Sequence, residues 1–293
     1  MKNTITDLCA ERERYIAQKR AALCNRYPEL WANLIREWRS DDLSDAAWLT
    51  YSANYLFRTG GVRWAIDPFT LHSRLEEAPQ VDIENDLDGL SFVILSHEHH
   101  DHIDTDLIRA LRDKQIQWII PSFLLSKVIA ETGISETKVI VPRVMKLIEI
   151  NGLKILPFEG QHLITFDDGS CRGVPEMGYL IEGFGKRWLF PGDTRIYDLF
   201  RFPKLGGVDL LFAHLWLGYG SEQINSKVYL EPFCKFMAGL LPKRVAITHL
   251  EEFGRKVDDF IDAQNAMMVK ECFTSQFPDI ECFPVHTGEK VLL

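Results

Sequence analysis

The chain has 293 residues, 46% of them hydrophobic and 26% charged, enough to bury a sizeable core in one large or two small domains. A net charge of −9 argues against general nucleic-acid or anionic-membrane binding, which calls for basic patches. No apolar run approaches the ~20 residues of a membrane span, so no stable membrane insertion is expected. The opening MKNTITDLCAERERYIAQKRAAL lacks the apolar centre of a secretory signal. Six cysteines, Cys9, Cys24, Cys171, Cys234, Cys272 and Cys282, are scattered without a CxxC and read as reduced thiols of a cytoplasmic protein.

Residues 5–39 carry Leu8, Tyr15, Ile16, Leu23, Tyr27, Leu30, Trp31, Leu34 and Trp38 at mostly three- and four-residue steps, a helical period, with Pro28 predicted to start a second helix. These helices form an extension over 1–46 that packs on the main domain, offers a surface for a homo-oligomer or serves as a lid. From Ala47 the texture turns to strands. WLTYSANYLFRT and VRWAIDPF flank the tight turn Gly60-Gly61, and LSFVILS follows. IDTDLIRALRD reads as a helix capped by Asp104 or Thr105. WIIP, KVIV, LKILPFE, GYLIEG, RWLFPG, VDLLFAH and RVAITH are short apolar strands, with helices predicted over 122–132, 228–240 and 257–275. The tail ECFPVHTGEKVLL reads as a closing strand pair. Strands interleaved with a few helices predict one α/β domain, 47–293, whose sheets are covered by helices.

The densest chemistry is VILSHEHHDHID, residues 93–104. Four histidines and two acids follow a buried strand within six residues, 97–102. They would repel when protonated, and a metal offsets that cost. His97, His99, Asp101 and His102 fit HxHxDH, a spacing that aims rings and carboxylate at a common centre. Neutral imidazole and carboxylate suit Zn²⁺ and accept Mn²⁺ or Fe²⁺. Later strands end in three further candidates, His162, Asp193 and His249. Of the other histidines, His214 ends a strand and is a candidate to support the ligands, His286 is a candidate to face substrate, His100 reads as solvated and His72 as a loop residue. Glu98 reads as an exposed neighbour.

HEHHDH at 97–102, the His of GQH at 162, the Asp of PGDT at 193 and the His of ITH at 249 together resemble the metallo-β-lactamase fold superfamily of metal-dependent hydrolases. The resemblance spans roughly 47–293. It implies an αββα sandwich with two divalent ions at one edge of two facing sheets. It also implies His97, His99 and His162 on the first ion, Asp101, His102 and His249 on the second, and Asp193 bridging both. The PGDT and ITH pattern is similar to the branch containing L-ascorbate-6-phosphate lactonase and N-acylphosphatidylethanolamine phospholipase D. True β-lactamases commonly carry Cys at the Asp193 position, and the flavodiiron branch Glu at the His99 position. Neither antibiotic hydrolysis nor electron transfer is therefore implied.

Two such ions about 3.5–4 Å apart share a hydroxide that serves as nucleophile. Asp101 can orient that group and accept its proton. Two divalent ions less Asp101, Asp193 and hydroxide leave the centre at about +1, which favours an anionic substrate. The expected reaction is hydrolysis of a small ester, lactone or phosphodiester, with zinc as the first choice of metal. Trp216 and Tyr219, in AHLWLGYGSEQ at 213–223, are candidates for an aromatic substrate wall. Tyr197, Tyr219 and His286 are candidates to protonate the leaving group, and Arg172 to contact an anion. The alternatives are an RNase Z-type nuclease, which predicts a basic RNA-gripping insertion, and a non-catalytic metal-binding module, which predicts a missing ligand.

Overall fold

The computed structural model describes residues 5–42, 44–166, 168–220 and 227–293. Ser221, Glu222 and Gln223 of the expected aromatic segment lie outside the described residues, as does the side chain of Leu8. Two seven-stranded sheets face each other. The first holds β1 (Ala46–Leu49), β2 (Tyr55–Thr59), β3 (Val62–Ile66), β4 (Phe92–Ile94), β5 (Gln117–Ile119) and β6 (Val139–Ile140), with β16 (Lys290–Leu292) outside β1. The second runs in space β15 (Glu281–Pro284), β14 (Pro242–Thr248), β13 (Val208–His214), β12 (Lys186–Phe190), β11 (Met177–Gly183), β8 (Leu153–Glu159), β7 (Ile148–Ile150). A small hairpin, β9 (Ile164–Thr165) and β10 (Cys171–Arg172), stands apart.

Covered strands lose the alternation of apolar and polar residues, because both faces are buried. Phe92, Val93 and Ile94 are all buried, as are the last five residues of β13. Between the sheets Phe57, Trp64 and Ile94 meet Ile155, Trp188, Phe190 and Phe212. Phe57 stacks on Trp64 with centroids 3.9 Å apart, and Phe190 on Phe212 at 4.6 Å. Outside the first sheet pack α1 (Ile5–Arg39), α4 (Thr105–Leu111) and α5 (Ser122–Thr132), with the single turns α2 (Leu71–Arg74) and α3 (Ile83–Asp86) nearby. Outside the second pack α6 (Lys227–Gly239) and α7 (Ala263–Gln276). The αββα expectation is met, with α1 as the N-terminal helical extension.

Several local expectations are corrected. Pro28 does not restart a helix; α1 runs through it for 35 residues. A proline inside a helix costs ~3 kcal/mol, but each fully buried aromatic or aliphatic side chain returns roughly 1.5–3 kcal/mol. Tyr27, Trp31, Leu34, Ile35 and Trp38 are all buried along this face. WLTYSANYLFRT is two strands, β1 and β2, broken where Thr50 accepts no ladder partner but closes a turn on the Asn54 carbonyl at 2.8 Å. The tail strands do not pair with each other, since β15 joins β14 and β16 joins β1, so the C-terminus bridges the sheets. The helix expected from 257 begins at 263, where the Asp262 side chain and Asn265 form a capping box. His72 lies in α2, its Nδ1 on the Ala78 carbonyl.

Candidate metal centre

Strands β3, β4 and β5 run parallel, as do β12, β13 and β14. Parallel strands direct their C-terminal ends, and the loops after them, to one edge of each sheet. Asp67 follows β3, 97–102 follows β4, Asp193 follows β12, His214 ends β13 and His249 follows β14. His162 joins them from the loop after β8. Asp67 (φ 43°) and His249 (φ 65°) have left-handed backbone without being glycine. Such conformations cost about 1–3 kcal/mol each and persist where surrounding contacts fix them. The His249 amide is held by the Ser52 carbonyl at 2.7 Å, and the Asp67 carbonyl by Asn54 Nδ2 at 2.8 Å. Asn54 Nδ2 also binds the Asp101 carbonyl at 2.7 Å, tying two loops together.

The structure brings all seven sequence-predicted side chains into one cluster, buried except for half-buried His99. Asp193 is its hub. Its Oδ2 lies 3.9 Å from Nε2 of both His97 and His162 and 3.7 Å from His249 Nε2, and its Oδ1 lies 3.6 Å from His102 Nε2. Asp101 Oδ2 stands 3.1 Å from His249 Nε2 and 3.6 Å from His102 Nε2. Two ligand atoms on one tetrahedral ion with bonds near 2.1 Å stand about 3.4 Å apart, so these spacings suit shared cations. The Nε2 atoms of His97, His102 and His162 are buried without a hydrogen-bond partner among the described residues. Orphaned buried nitrogens are costly, and a metal ion satisfies them.

Asp67 and Ser96 set the ring tautomers. His102 Nδ1 sits 2.8 Å from Asp67 Oδ2. Ser96 donates its hydroxyl to the same oxygen and its amide to Oδ1 at 2.8 Å, and its Oγ faces His97 Nδ1 at 2.9 Å. Both Nδ1 atoms therefore carry hydrogen, which turns Nε2 of each ring toward the centre. His162 differs. Its Nδ1 accepts from the Val174 amide at 3.2 Å, which places the neutral ring's proton on Nε2, and that proton would have to leave for Nε2 to bind an ion. His214 Nδ1 bonds Asp193 Oδ1 at 2.9 Å, and its Nε2 bonds the buried Tyr55 hydroxyl at 3.0 Å.

Burial pushes His97 well below the usual imidazole range, His162 down to about 3 and His249 down to about 4. His102 is the exception. Burial opposes its charge, but Asp101, Asp193 and Asp67 outweigh it and lift it to about 10. Burial also opposes ionisation of Asp101 and Asp193, yet the neighbouring imidazoles hold both well below the carboxylate range. Glu176 is raised by burial and by Asp193, and Glu252 by burial and Asp101 to about 7.

Sequence reading missed Asp67, Glu176, Arg195, Glu252 and Arg255. Glu176 Oε1 accepts the Asp193 amide at 2.7 Å and lies 3.1 Å from His97 Nδ1. Arg195 Nη2 reaches Asp193 Oδ2 at 3.3 Å, and Arg255 Nη2 stands 3.3 Å from His249 Nε2. The only signals were Asp67 closing a strand before Pro68 and Arg195 two places after Asp193. Trp216 is buried beneath Arg195, and Tyr219 packs edge-on to it at 5.4 Å. Tyr197 donates its hydroxyl to the Trp216 carbonyl at 2.5 Å, so that hydroxyl is already engaged. Among the described residues no contact joins the His286 ring to the cluster; its amide binds Glu289. A cavity of about 460 Å³ opens onto His99, lined also by Arg74, His100 and Lys127.

The profile of the family described as "Beta-lactamase superfamily domain" matches residues 63–250, the span that holds all seven of the predicted side chains. The chain belongs to that superfamily. It is a metal-dependent hydrolase of the metallo-β-lactamase type. It is 28% identical to N-acyl-phosphatidylethanolamine-hydrolyzing phospholipase D 1 of Caenorhabditis elegans, over 55% of this chain and 49% of that one. The match thus spans about half of that relative's length. It is 26% identical to a UPF0173 metal-dependent hydrolase of Saccharolobus solfataricus, over 54% of this chain and 68% of that one. Its fold superposes on Igni18, a metallo hydrolase of Ignicoccus hospitalis, with TM-score 0.60 and 18% identity, covering 85% of this chain and 98% of the other. No helix among the described residues is long and apolar enough to cross a membrane.

Proposed function

We propose that the cluster holds two divalent ions, zinc first among them, and hydrolyses a small anionic ester, lactone or phosphodiester. The observation that carries this reading is the convergence of four imidazole Nε2 atoms on the two oxygens of Asp193, three of them without a hydrogen-bond partner among the described residues. His97, His99 and His162 would hold one ion, Asp101, His102 and His249 the other, and Asp193 both. When bound, two such ions lower the pKa of a shared water towards ~7 and polarise the oxygen under attack.

The chain's own groups do the rest. Low-pKa Asp101 remains a carboxylate and can take a proton from the attacking water. Asp67 and Ser96 keep the His97 and His102 rings oriented, and His214 with Tyr55 keeps Asp193 in place. Similarity to a phospholipase D supports the phosphodiester arm. The hydrolase unit is read as residues 47–293, with 1–46 as its extension.

The test loads the protein with Zn²⁺ or Mn²⁺ and compares a chromogenic phosphodiester with a sugar-phosphate lactone, using His99→Ala as the blank. Phosphodiester preference points to phosphodiesterase or nuclease chemistry, and lactone preference to the lactonase branch. Two bound metals with neither rate above the blank would remove both substrate classes.

A further inference from the structure

Arg195 is the buried charge that the metal centre does not account for. Its Nη2 meets Asp193 Oδ2 at 3.3 Å, while Nε and Nη1 are buried with no hydrogen-bond partner among the described residues. A guanidinium carries five N–H donors and cannot shed its charge. Each buried donor left unpaired costs about 1–3 kcal/mol, so a fold tolerates such a group where something else completes it. Its neighbours differ in this respect. Arg255 donates Nε to Glu252, and Arg74 donates to Glu252 and to the Phe253 carbonyl.

The guanidinium is held in position rather than loose. It lies over the buried Trp216 ring at 5.0 Å and the Tyr219 ring at 5.8 Å. Exposed Arg172 stands 5.6 Å from the same Tyr219 ring and 5.7 Å from Phe166, with no ion pair among the described residues. Two guanidiniums thus flank one ring, and among the described residues the one carboxylate in ion-pair contact with either is Asp193, whose charge the imidazole cluster already claims. In a chain of net charge −9 such local positive excess fits an anion.

We propose that Arg195, with Arg172 beyond the Tyr219 ring, forms an anion-binding subsite beside the metal centre that takes a phosphate or carboxylate group of the substrate. This rests on the hydrolase reading of the centre. Arg195 Nε and Nη1 supply donors to the anion, Trp216 and Tyr219 fix their direction, and Arg172 adds charge at the outer side.

The test uses zinc-loaded wild type, Arg195→Gln, Arg195→Lys and Arg172→Gln. Metal per chain is measured by mass spectrometry, and binding of inorganic phosphate and of acetate by titration calorimetry. The two probes separate phosphate from carboxylate recognition. Arg195→Gln is expected to keep its metal and lose roughly tenfold to a hundredfold in affinity for the anion that wild type prefers. Arg195→Lys keeps the charge without the planar donors and falls between them; Arg172→Gln loses less. Should Arg195→Gln not fold, the lysine variant decides by the same measure. Unchanged anion affinity in the Arg195 variants overturns the proposal. So does loss of metal in parallel with loss of anion binding, since Arg195 then only positions Asp193. Metal-loaded wild type that binds neither anion overturns this subsite and leaves the hydrolase reading standing, whereas wild type that takes up no metal overturns both.

Discussion

Gly192 and Gly185 form a natural controlled pair. Both have left-handed backbone, at φ 80° and 76°. A methyl group on Gly185 meets nothing within 4 Å, whereas one on Gly192 would lie 2.3 Å from Glu176 Cδ and 2.4 Å from its Oε1. Ordinary contact needs about 3.4 Å or more, so the carboxyl would have to shift by about 1 Å. Gly160 closes the other side, where an added Cβ would sit 2.5 Å from Oε2, so Glu176 has no room to retreat. Gly185→Ala should cost only the left-handed conformation, about 1–2 kcal/mol. Gly192→Ala should add overpacking of about 1–3 kcal/mol and the buried bond from Glu176 to the Asp193 amide, another 1–3 kcal/mol. The total, about 3–8 kcal/mol, is a large fraction of a typical stability of 5–15 kcal/mol. Urea denaturation of both variants measures the difference. Equal costs for the two would refute the claim that Glu176 is wedged against the strand end and props Asp193.

Asp193→Ala should keep the fold while losing bridging and most activity; full activity with two metals per chain would show the ligand assignment to be wrong. Asp67→Asn puts an amide donor against His102 Nδ1 and shifts that ring's proton to Nε2, so zinc affinity by chelator competition should fall roughly 10–100-fold, and an unchanged value would deny Asp67 this orienting role. In metal-free protein, stability should drop as pH falls from the ordinary 6.5 of unfolded histidine towards 4. The unfolded chain there binds protons that buried His162 and His249 refuse until about 3 and about 4. Raised Glu176, Glu252 and His102 pull the other way, but four lowered imidazoles, with His97 and His99, outnumber them. Urea midpoints at pH 4.5 and 6.5 give the sign, and a flat or inverted trend contradicts it. Restoring zinc to chelator-treated protein should raise stability by about 4 kcal/mol at a free concentration 1,000 times Kd, read as a shift in thermal midpoint.

The linear sequence carried the local part of this protein. HEHHDH is contiguous, so its ligand chemistry is visible without a fold. Helix α5 matched its predicted span because its period and its stop at Gly133, a left-handed cap, are both local signals. His162, Asp193 and His249 were found because each closes an apolar run, and strand ends can be read one at a time.

What the tertiary structure decided was pairing and enclosure. Pro28 stays helical because burial of α1 against the first sheet outweighs a local penalty. The tail strands separate because β14 and β1, distant in sequence, offer them better edges than each other. Asp67 and Glu176 stand singly in the chain, and Arg195 beside PGDT is marked by nothing but its position. Their importance comes from burial beside groups up to about a hundred residues away, where a low dielectric makes every carboxylate, imidazole and guanidinium demand a partner. That demand is a property of the packed interior, which no local spacing of residues expresses.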